Sequence, residues 1–268
     1  MKLIGLLMMR NDHDILPQVL EWNMPYFDAV YVLDGSDDPR VTRLIFSKYA
    51  DKLGGLYLDS DLPATYARPP RDGARQFLLE KIQQDHSDGD WIFCLHSDEI
   101  FLDLHPRLMA IAAEQQRCDC ILVRNVHFFL HTSQEGSYRF DSNLAVMQQI
   151  RFASFPGFPE YRAFKNGAHL SYEVNRHSQV IPNGLTRQLE TPFPLRHYLY
   201  RHPEQMLRNM NDRFERNWQG YGKAWYEKEQ RCFVDVLPGY KFAREIAPDQ
   251  KILDGVSGAL YPREGPDG

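Results

Sequence analysis

The sequence has no apolar segment long enough to cross a membrane. The apolar stretch at its start, Leu3 to Met9, covers about seven residues before Arg10 and Asn11 interrupt it. A membrane-spanning helix needs about 20 apolar residues, and no later window approaches that length. The start also lacks the small-residue cleavage site of a secretory leader. We therefore expect a cytoplasmic protein with no transmembrane segment.

Cysteine is also scarce, with four residues in a chain of 268. Cys94 lies in a predicted buried strand, and one residue separates Cys118 from Cys120, which is too close for an easy disulfide. A zinc site at this pair would need a second ligand pair at similar spacing, which the sequence lacks. We expect reduced thiols at these positions and at Cys232.

Charge of neither sign dominates the chain. Thirty-one basic residues stand against thirty-six acidic ones, for a net charge of −5. This balance gives no general electrostatic attraction to nucleic acid or to an anionic membrane, so no nucleic-acid partner is expected. A predicted helix from Pro203 to about Trp218 carries Arg208, Arg213 and Arg216 on or near one side. These arginines indicate a helix face exposed to solvent. The alternative is that they contact an anionic acceptor or a lipid headgroup, so peripheral membrane contact is possible.

Strands and helices alternate through the first half of the chain. The hydrophobic and charged fractions, 43% and 25%, are those of an ordinary globular protein, and we find no internal repeat or linker. The hydrophobic pattern predicts strands at Lys2–Met8, Ala29–Leu33, Gly55–Leu58, Trp91–Leu95 and Cys120–Val123, and helices at Asp14–Asn23, Asp72–Gln84 and Pro106–Gln116. Asn11 or Asp12 is expected to cap the first helix. Such alternation predicts an α/β fold with a mostly parallel, Rossmann-like sheet and helices on both faces.

The periodicity breaks between about Val126 and Pro194. This region is rich in aromatic residues, glycine and proline, as in the run from Phe155 to Pro159. It lacks a clear helical or strand period, so we expect irregular loops and short antiparallel strands added to the sheet. Loops on a rigid sheet are a usual place for the walls of a binding site.

The most informative segment is the end of the strand that starts at Trp91. A buried apolar run ends there in His96, Ser97, Asp98 and Glu99, and the carboxyl edge of an open α/β sheet is where ligands bind. A carboxylate at this edge can hold Mg²⁺ or Mn²⁺ against phosphate oxygens. Asp98 therefore indicates a phosphate-bearing substrate, although it could instead cap the next helix. Strand alternation from Asp98 predicts that Glu99 points away from the site.

Four segments together resemble successive blocks of the family 2 type glycosyltransferases, which have the GT-A fold. The residues from Met9 to Leu16 are similar to an Arg-Asn-Glu motif followed by Ile-Leu, and those from Val30 to Asp38 to an Asp-x-Gly-Ser-x-Asp turn. The strand ending at Asp98 resembles an Asp-x-Asp-Glu strand end. The segment 195–205 resembles the late His-Tyr-x-Tyr-Arg-Ser segment of a bacterial subgroup. The blocks span residues 1 to about 215, in the family's order.

The resemblance implies a single GT-A domain over residues 1–268. Residues 1–125 would form the nucleotide-sugar-binding half, and residues 126–268 the acceptor-binding half with C-terminal helices. Such an enzyme moves a sugar from a nucleotide-diphosphate sugar donor to a glycan or lipid-linked acceptor. The family's activity is commonly assisted by Mn²⁺ or Mg²⁺ and usually inverts the anomeric centre.

The resemblance also assigns roles near the donor. Asp34 would accept hydrogen bonds from the base or ribose, and Arg10, Asn11 and Asp14 would shape the nucleotide pocket. Arg75, in a segment similar to Gly-x-x-x-Ala-Arg, would steady a phosphate or the carboxylates on the sugar side. Each position also has a plainer interpretation, because Asp34 opens an ordinary turn signature and Arg75 could pair across the surface.

The resemblance also assigns metal ligands and a catalytic base. Asp98 would be the metal ligand, with His197 as a second ligand from the far end of the fold, and Arg201 or Arg75 would help to neutralise the leaving diphosphate. An inverting reaction also needs a carboxylate to deprotonate the acceptor hydroxyl. Glu160 and Glu173 are the candidates for this base, and Glu160 is favoured. A core or surface histidine without a ligand is the plainer interpretation of His197.

The sequence departs from the family pattern at His96, which occupies the first acidic position of the Asp-x-Asp strand end. A neutral imidazole can ligate Mn²⁺ or hydrogen-bond a ribose hydroxyl, but it brings no negative charge, so we expect reduced metal affinity. This departure leaves open a non-catalytic module that binds a nucleotide sugar or glycan. A sugar-nucleotidyltransferase is disfavoured, because no glycine-rich basic loop follows the first strand.

Overall fold

The computed structural model describes residues 1–66, 72–103, 105–141, 143–155, 159–172, 181–206, 208, 243–248, 250 and 252. The strands are β1 (Leu3–Met9), β2 (Ala29–Asp34), β3 (Leu53–Leu58), β4 (Trp91–His96), β5 (Glu99–Ile100), β6 (Cys120–Phe129), β7 (Phe152–Ser154), β8 (Glu160–Lys165), β9 (Gln188–His197) and β10 (Ala243–Glu245). The helices are α1 (Leu16–Asn23), α2 (Pro39–Phe46), α3 (Asp72–Asp85), α4 (Pro106–Gln115) and α5 (Val146–Gln149).

The strands form one sheet with a parallel half and an antiparallel half. Its order is β10-β7-β6-β8-β4-β1-β2-β3, and β9 pairs with β6 and with β5. The strands β1 to β4 are parallel, whereas β8, β7 and β10 join by antiparallel pairs. The α/β fold with a parallel first half and a partly antiparallel second half is therefore confirmed.

Helices cover both faces of the parallel half. Successive side chains of a strand point to opposite faces. Leu3 and Leu7 of β1 pack into a core cluster with α1, α2 and α4, while Ile4 and Leu6 pack into another with α3. This alternation confirms the prediction of helices on both faces.

The predicted start of the first helix is wrong by two residues. The helix begins at Leu16 rather than at Asp14, and no side chain caps it. Neither expected cap forms, because the Asn11 side chain binds Asp37 and the Asp12 carboxylate accepts from Arg201. The Asp14 carboxylate also accepts from Arg201. The helix α2 was not predicted, although Asp38 caps it and Pro39 occupies its first turn. Asp38 is also the last residue of the turn signature that follows β2.

The region from Val126 to Pro194 contains the short antiparallel strands expected there, β7 and β8, and also parts of two ten-residue strands, β6 and β9, that the pattern does not predict. β6 extends to Phe129, and β8 lies inside the sheet between β4 and β6. The position of β8 could not be predicted, because this strand places a charged residue, Arg162, in the interior, where it is 1% exposed. Residues 156–158, Glu173 and the part of the predicted 203–218 helix beyond 208 lie outside the described residues, as do residues 253–268.

Cys94, Cys118 and Cys120 are buried and form no disulfide with any described residue, and Cys232 lies outside the described residues. None of the helices described by the structure combines the length and apolarity needed to cross a membrane.

A buried asparagine fixes the short strand β5. The Asn23 side chain donates 2.7 Å to the Glu99 carbonyl and accepts 3.0 Å from the Phe101 N–H. Asn23 is 1% exposed, so water cannot replace either bond. The asparagine thereby holds the segment that follows Asp98.

We predict that Asn23→Leu lowers the free energy of unfolding by roughly 1–3 kcal/mol, because two buried backbone groups lose their partner. Urea unfolding followed by circular dichroism measures the change. Asn143→Ala, at an exposed asparagine, is the matched control and should cost less than about 0.5 kcal/mol. A loss no larger than that of the control would contradict the role of Asn23.

Candidate active site

Strand register brings the predicted site residues to one edge of the sheet. Asp34 ends β2 opposite Met9 of β1, and His96 ends β4 opposite Met8. β9 arrives beside this edge because His197 pairs with Glu99 of β5. The turn between β4 and β5 carries Asp98. Residues almost 100 positions apart in the sequence are thus placed side by side.

His96, Asp98 and His197 form a cluster that could hold a metal ion. Each offers one ligand atom, and these atoms lie within 4.8 Å of one another. His197 Nε2 is 3.3 Å from Asp98 Oδ1. Asp98 and His197 are largely buried, while 34% of the His96 side chain is exposed. Two imidazoles and one carboxylate suit a first-row divalent transition metal ion, and such a set can hold Mn²⁺ more readily than Mg²⁺, so the donor set is compatible with the predicted cation.

The predicted orientation of Glu99 is wrong. Glu99 is fully buried, and its Oε1 lies 3.1 Å from His96 Nδ1 and 4.0 Å from His197 Nδ1. The alternation argument fails because Asp98 belongs to a turn, and β5 begins only at Glu99. Arg162 fixes the carboxylate at 2.7 Å. Glu99 therefore faces both histidines of the candidate metal cluster.

A buried guanidinium supports the cluster from the other side. Arg201 is fully buried and donates to Asp14 at 2.7 and 3.0 Å and to Asp12 at 2.7 Å. Its Nη1 is 3.7 Å from Asp98 Oδ2. Burial opposes ionisation of Asp98, but His197 and Arg201 outweigh it and lower the pKa of Asp98 to about 2. Asp98 is thus a carboxylate at neutral pH, as a metal ligand must be.

Arg201 does not take the role predicted for it beside the leaving diphosphate. Its guanidinium also donates to the Tyr198 carbonyl at 2.9 Å, so its bonds go to protein groups. Asp14 likewise binds Arg201, with His202 Nε2 3.6 Å away. The structure therefore places Arg201 and Asp14 behind the candidate cluster, where they support it.

Asp34 combines a turn contact with an unused acceptor. The residue is 2% exposed, and its Oδ1 accepts 2.8 Å from the Ser36 N–H, as the turn interpretation predicts. Its Oδ2 is buried and has no hydrogen-bond partner among the described residues. A buried carboxylate oxygen costs free energy unless something donates to it. Asp34 can therefore accept a hydroxyl or amino group from a ligand at this strand end.

Asn11 joins the two loops that follow β1 and β2. It adopts φ 58°, its side chain exchanges 2.9 Å bonds with Asp37, and its N–H donates 2.8 Å to the Ser36 hydroxyl. Arg208 donates 2.7 Å to its carbonyl. Arg10 lies next to it, with Nη2 3.9 Å from Asp37. Asn11 therefore holds these loops together, and its role in a nucleotide pocket stays a prediction.

Arg75 and Glu160 are less directly connected to the cluster. Arg75 is half-buried on α3, and its charge acts on the thiol of Cys94, two residues before His96. Glu160 begins β8, accepts 2.9 Å from Asn125 and lies 2.8 Å from Arg162. Arg162 thus links Glu160 to Glu99. Glu173, the other candidate base, lies outside the described residues.

His127 is a neighbour of the site that the sequence did not reveal. It pairs with His197 across β6 and β9, and the two ring centroids are 4.9 Å apart. Burial and the proximity of His197 lower the pKa of His127 to about 3, so this imidazole is neutral. It sits inside a run of apolar and aromatic residues, and only the strand pairing identifies it.

Comparisons with known proteins give weak matches only. No family model and no curated protein matches the sequence. A crystal structure of Staphylococcus aureus TarS is similar with a TM-score of 0.46 and 14% identity, covering 78% of this chain and 38% of TarS. A 4-diphosphocytidyl-2C-methyl-D-erythritol synthase from Anaerococcus prevotii has a TM-score of 0.36 and 7% identity, covering 62% and 70% of the two chains. Similarities this weak assign no function, so function is inferred from the site.

We predict that Mn²⁺ raises the melting temperature of the wild-type protein and that Asp98→Asn abolishes this rise. A cation that binds the native state stabilises it by mass action, and the substitution removes the anionic ligand. A thermal-shift titration measures both. His169→Gln, at an exposed histidine, should respond like the wild type. An equal Mn²⁺ response in Asp98→Asn would contradict the assignment of this ligand.

We also predict that Asp14→Asn destabilises the protein by about 3 kcal/mol at neutral pH, since it breaks a buried ion pair. Burial opposes ionisation of Asp14, but His202 and Arg201 outweigh it and hold its pKa well below the usual 3.8. A lowered folded-state pKa gives stability that is present above the unfolded-state pKa and is lost as the pH falls below it.

The difference between wild type and Asp14→Asn should therefore shrink as the pH falls below about 4. Urea unfolding at a series of pH values measures it, and Asp51→Asn, at an exposed carboxylate, is the control. A difference that stays constant down to the acid limit of folding would count against this ion pair.

Proposed function

We propose that this protein is a divalent-cation-assisted glycosyltransferase, which moves a sugar from a nucleotide-diphosphate sugar to a glycan or lipid-linked acceptor. The observation that supports this most is the His96, Asp98 and His197 cluster at the carboxyl edge of a parallel sheet. The resemblance of four sequence blocks to family 2 type glycosyltransferases agrees with it. We assign the donor to residues 1–125 and the acceptor to residues 126–268.

The spacing of the edge residues suits a nucleoside diphosphate. Asp34 and His96 end strands that flank β1, so two strand spacings, or about 10 Å, separate them. We assign the ribose or base to the unused Oδ2 of Asp34 and the diphosphate to the cluster around Asp98. Arg10 and Asn11 lie in the loop between these two points. Arg75 is the remaining candidate for a phosphate contact.

The residues of the cluster would hold Mn²⁺ or Mg²⁺, and the two imidazoles favour Mn²⁺. A bound cation supplies electrostatic stabilisation of the leaving diphosphate. Asp98 and His197 contribute ligands from opposite ends of the sequence, and Arg201 keeps Asp98 ionised. His96 adds a neutral donor where the family usually has a carboxylate, so the cation keeps more of its positive charge for the diphosphate.

We propose Glu160 as the base that deprotonates the acceptor hydroxyl in an inverting reaction. Its side chain is 32% exposed, so an acceptor can reach it, and Arg162 and Asn125 fix its position. A general base must lie within hydrogen-bond reach of the proton it removes. We place the activity in the cytoplasm, which agrees with the free thiols of Cys94, Cys118 and Cys120.

We predict that one of UDP, GDP, CDP and dTDP raises the melting temperature more with Mn²⁺ than without it. A cation held by His96, Asp98 and His197 would attract the diphosphate, so the two ligands should stabilise each other's binding. A thermal-shift panel of the four diphosphates, each with and without Mn²⁺, measures this. Asp98→Ala should abolish the metal-dependent difference, and Asp34→Asn should weaken the response to the diphosphate.

Asp51→Asn, at an exposed carboxylate, is the matched control and should behave like the wild type. Incubation with the corresponding nucleotide sugars should then release that diphosphate, as detected by a coupled assay. Metal-independent binding with no turnover of any nucleotide sugar would overturn the proposal and favour a non-catalytic binding module.

A further inference from the structure

Glu99 occupies a distinctive position behind the candidate metal cluster. It is fully buried, and its Oε1 lies close to the Nδ1 atoms of both His96 and His197, at 3.1 and 4.0 Å. The Nε2 atom of His197 is on the other side of its ring, 3.3 Å from Asp98. One buried carboxylate thus faces the back of two candidate ligand histidines.

From this geometry, which rests on the proposed cation site, we propose that Glu99 is a positioning residue that directs Nε2 of both His96 and His197 toward the cation. An imidazole that donates Nδ1–H to a carboxylate keeps its lone pair on Nε2. Such a hydrogen bond fixes the tautomer and the orientation of a ligating histidine and raises its basicity. For His96, the 3.1 Å contact already makes this bond.

Two buried atoms near the cluster complement each other. Glu99 Oε2 and His197 Nδ1 both lack a hydrogen-bond partner in the described part of the chain. A cation on Nε2 of His197 leaves the imidazole proton on Nδ1, and this proton is the donor that Glu99 lacks. The His197 Nδ1 and Glu99 Oε1 atoms are 4.0 Å apart, so the two side chains must approach each other for this hydrogen bond to form when a cation binds.

Glu99 is ready to act as an acceptor. Arg162 donates 2.7 Å to Glu99 Oε1 and pairs with this buried carboxylate. Pairing with Arg162 alone does not explain the position of Glu99, since Glu160 is a second carboxylate 2.8 Å from the same guanidinium. Glu160 is therefore a control that loses a partner of Arg162 without touching either histidine.

The first test measures Mn²⁺ affinity from the electron paramagnetic resonance signal of the free ion. Glu99→Gln should weaken binding about 10–100-fold, the usual effect of losing such a partner, while Glu160→Gln should bind Mn²⁺ like the wild type. Near-ultraviolet circular dichroism checks that both variants are folded. A folded Glu99→Gln with wild-type affinity would overturn the proposal, and so would an equal loss in both variants.

The second test needs neither a variant nor a cation. Nitrogen-15 NMR of the wild-type imidazoles, at mildly alkaline pH, should find His96 protonated on Nδ1 with a bare Nε2. The opposite tautomer would overturn the role of Glu99, even if Glu99→Gln fails to fold. Glu99 determines this tautomer whether or not a cation binds, so the NMR measurement tests Glu99 by itself. If the wild type binds no Mn²⁺, it is the proposed function that fails.

Discussion

The candidate site depends on the buried guanidinium of Arg201. It binds Asp12 and Asp14 in the loop after β1 and lies 3.7 Å from Asp98 in the turn after β4. Three carboxylates this close would repel one another without a cation, and a buried charge is stable only when it is paired. Arg201 lies 187 positions after Asp14 and 189 positions after Asp12 in the sequence. The loop after β1 therefore depends on a residue that follows β9.

A second buried guanidinium, that of Arg162, neutralises carboxylates on the other side of the cluster. Arg162 pairs with Glu99 and with Glu160, and Glu99 in turn contacts His96. Around the cluster, the carboxylates outnumber the two guanidinium groups of Arg162 and Arg201. These carboxylates belong to Asp12, Asp14, Asp98, Glu99 and Glu160. A divalent ion between the two histidines and Asp98 would bring the charges closer to balance. The arrangement explains how a strand end can bind a cation although a histidine replaces one of the expected carboxylates.

The sequence predicted the parallel half of the sheet and the meeting of Asp98 with His197. The parallel half could be predicted from local patterns, because apolar runs and helical periods depend only on neighbouring residues. The proximity of Asp98 and His197 was predicted from the similarity of segment 195–205 to a family block. The partners of Asp12, Asp14 and Glu99 could not be predicted, because a charged residue buried by pairing looks the same in sequence as an exposed one. The position of β8 could not be predicted for this reason, and that of His127 because only strand pairing places it beside His197.

The proposed divalent cation lies between the ends of β4 and β9. Anomalous diffraction from a crystal soaked in Mn²⁺ tests this position most directly. We expect an anomalous peak in contact with His96, Asp98 and His197, with both imidazoles presenting Nε2. A Mn²⁺ peak elsewhere on the protein, with these three side chains in contact only with one another, would contradict it.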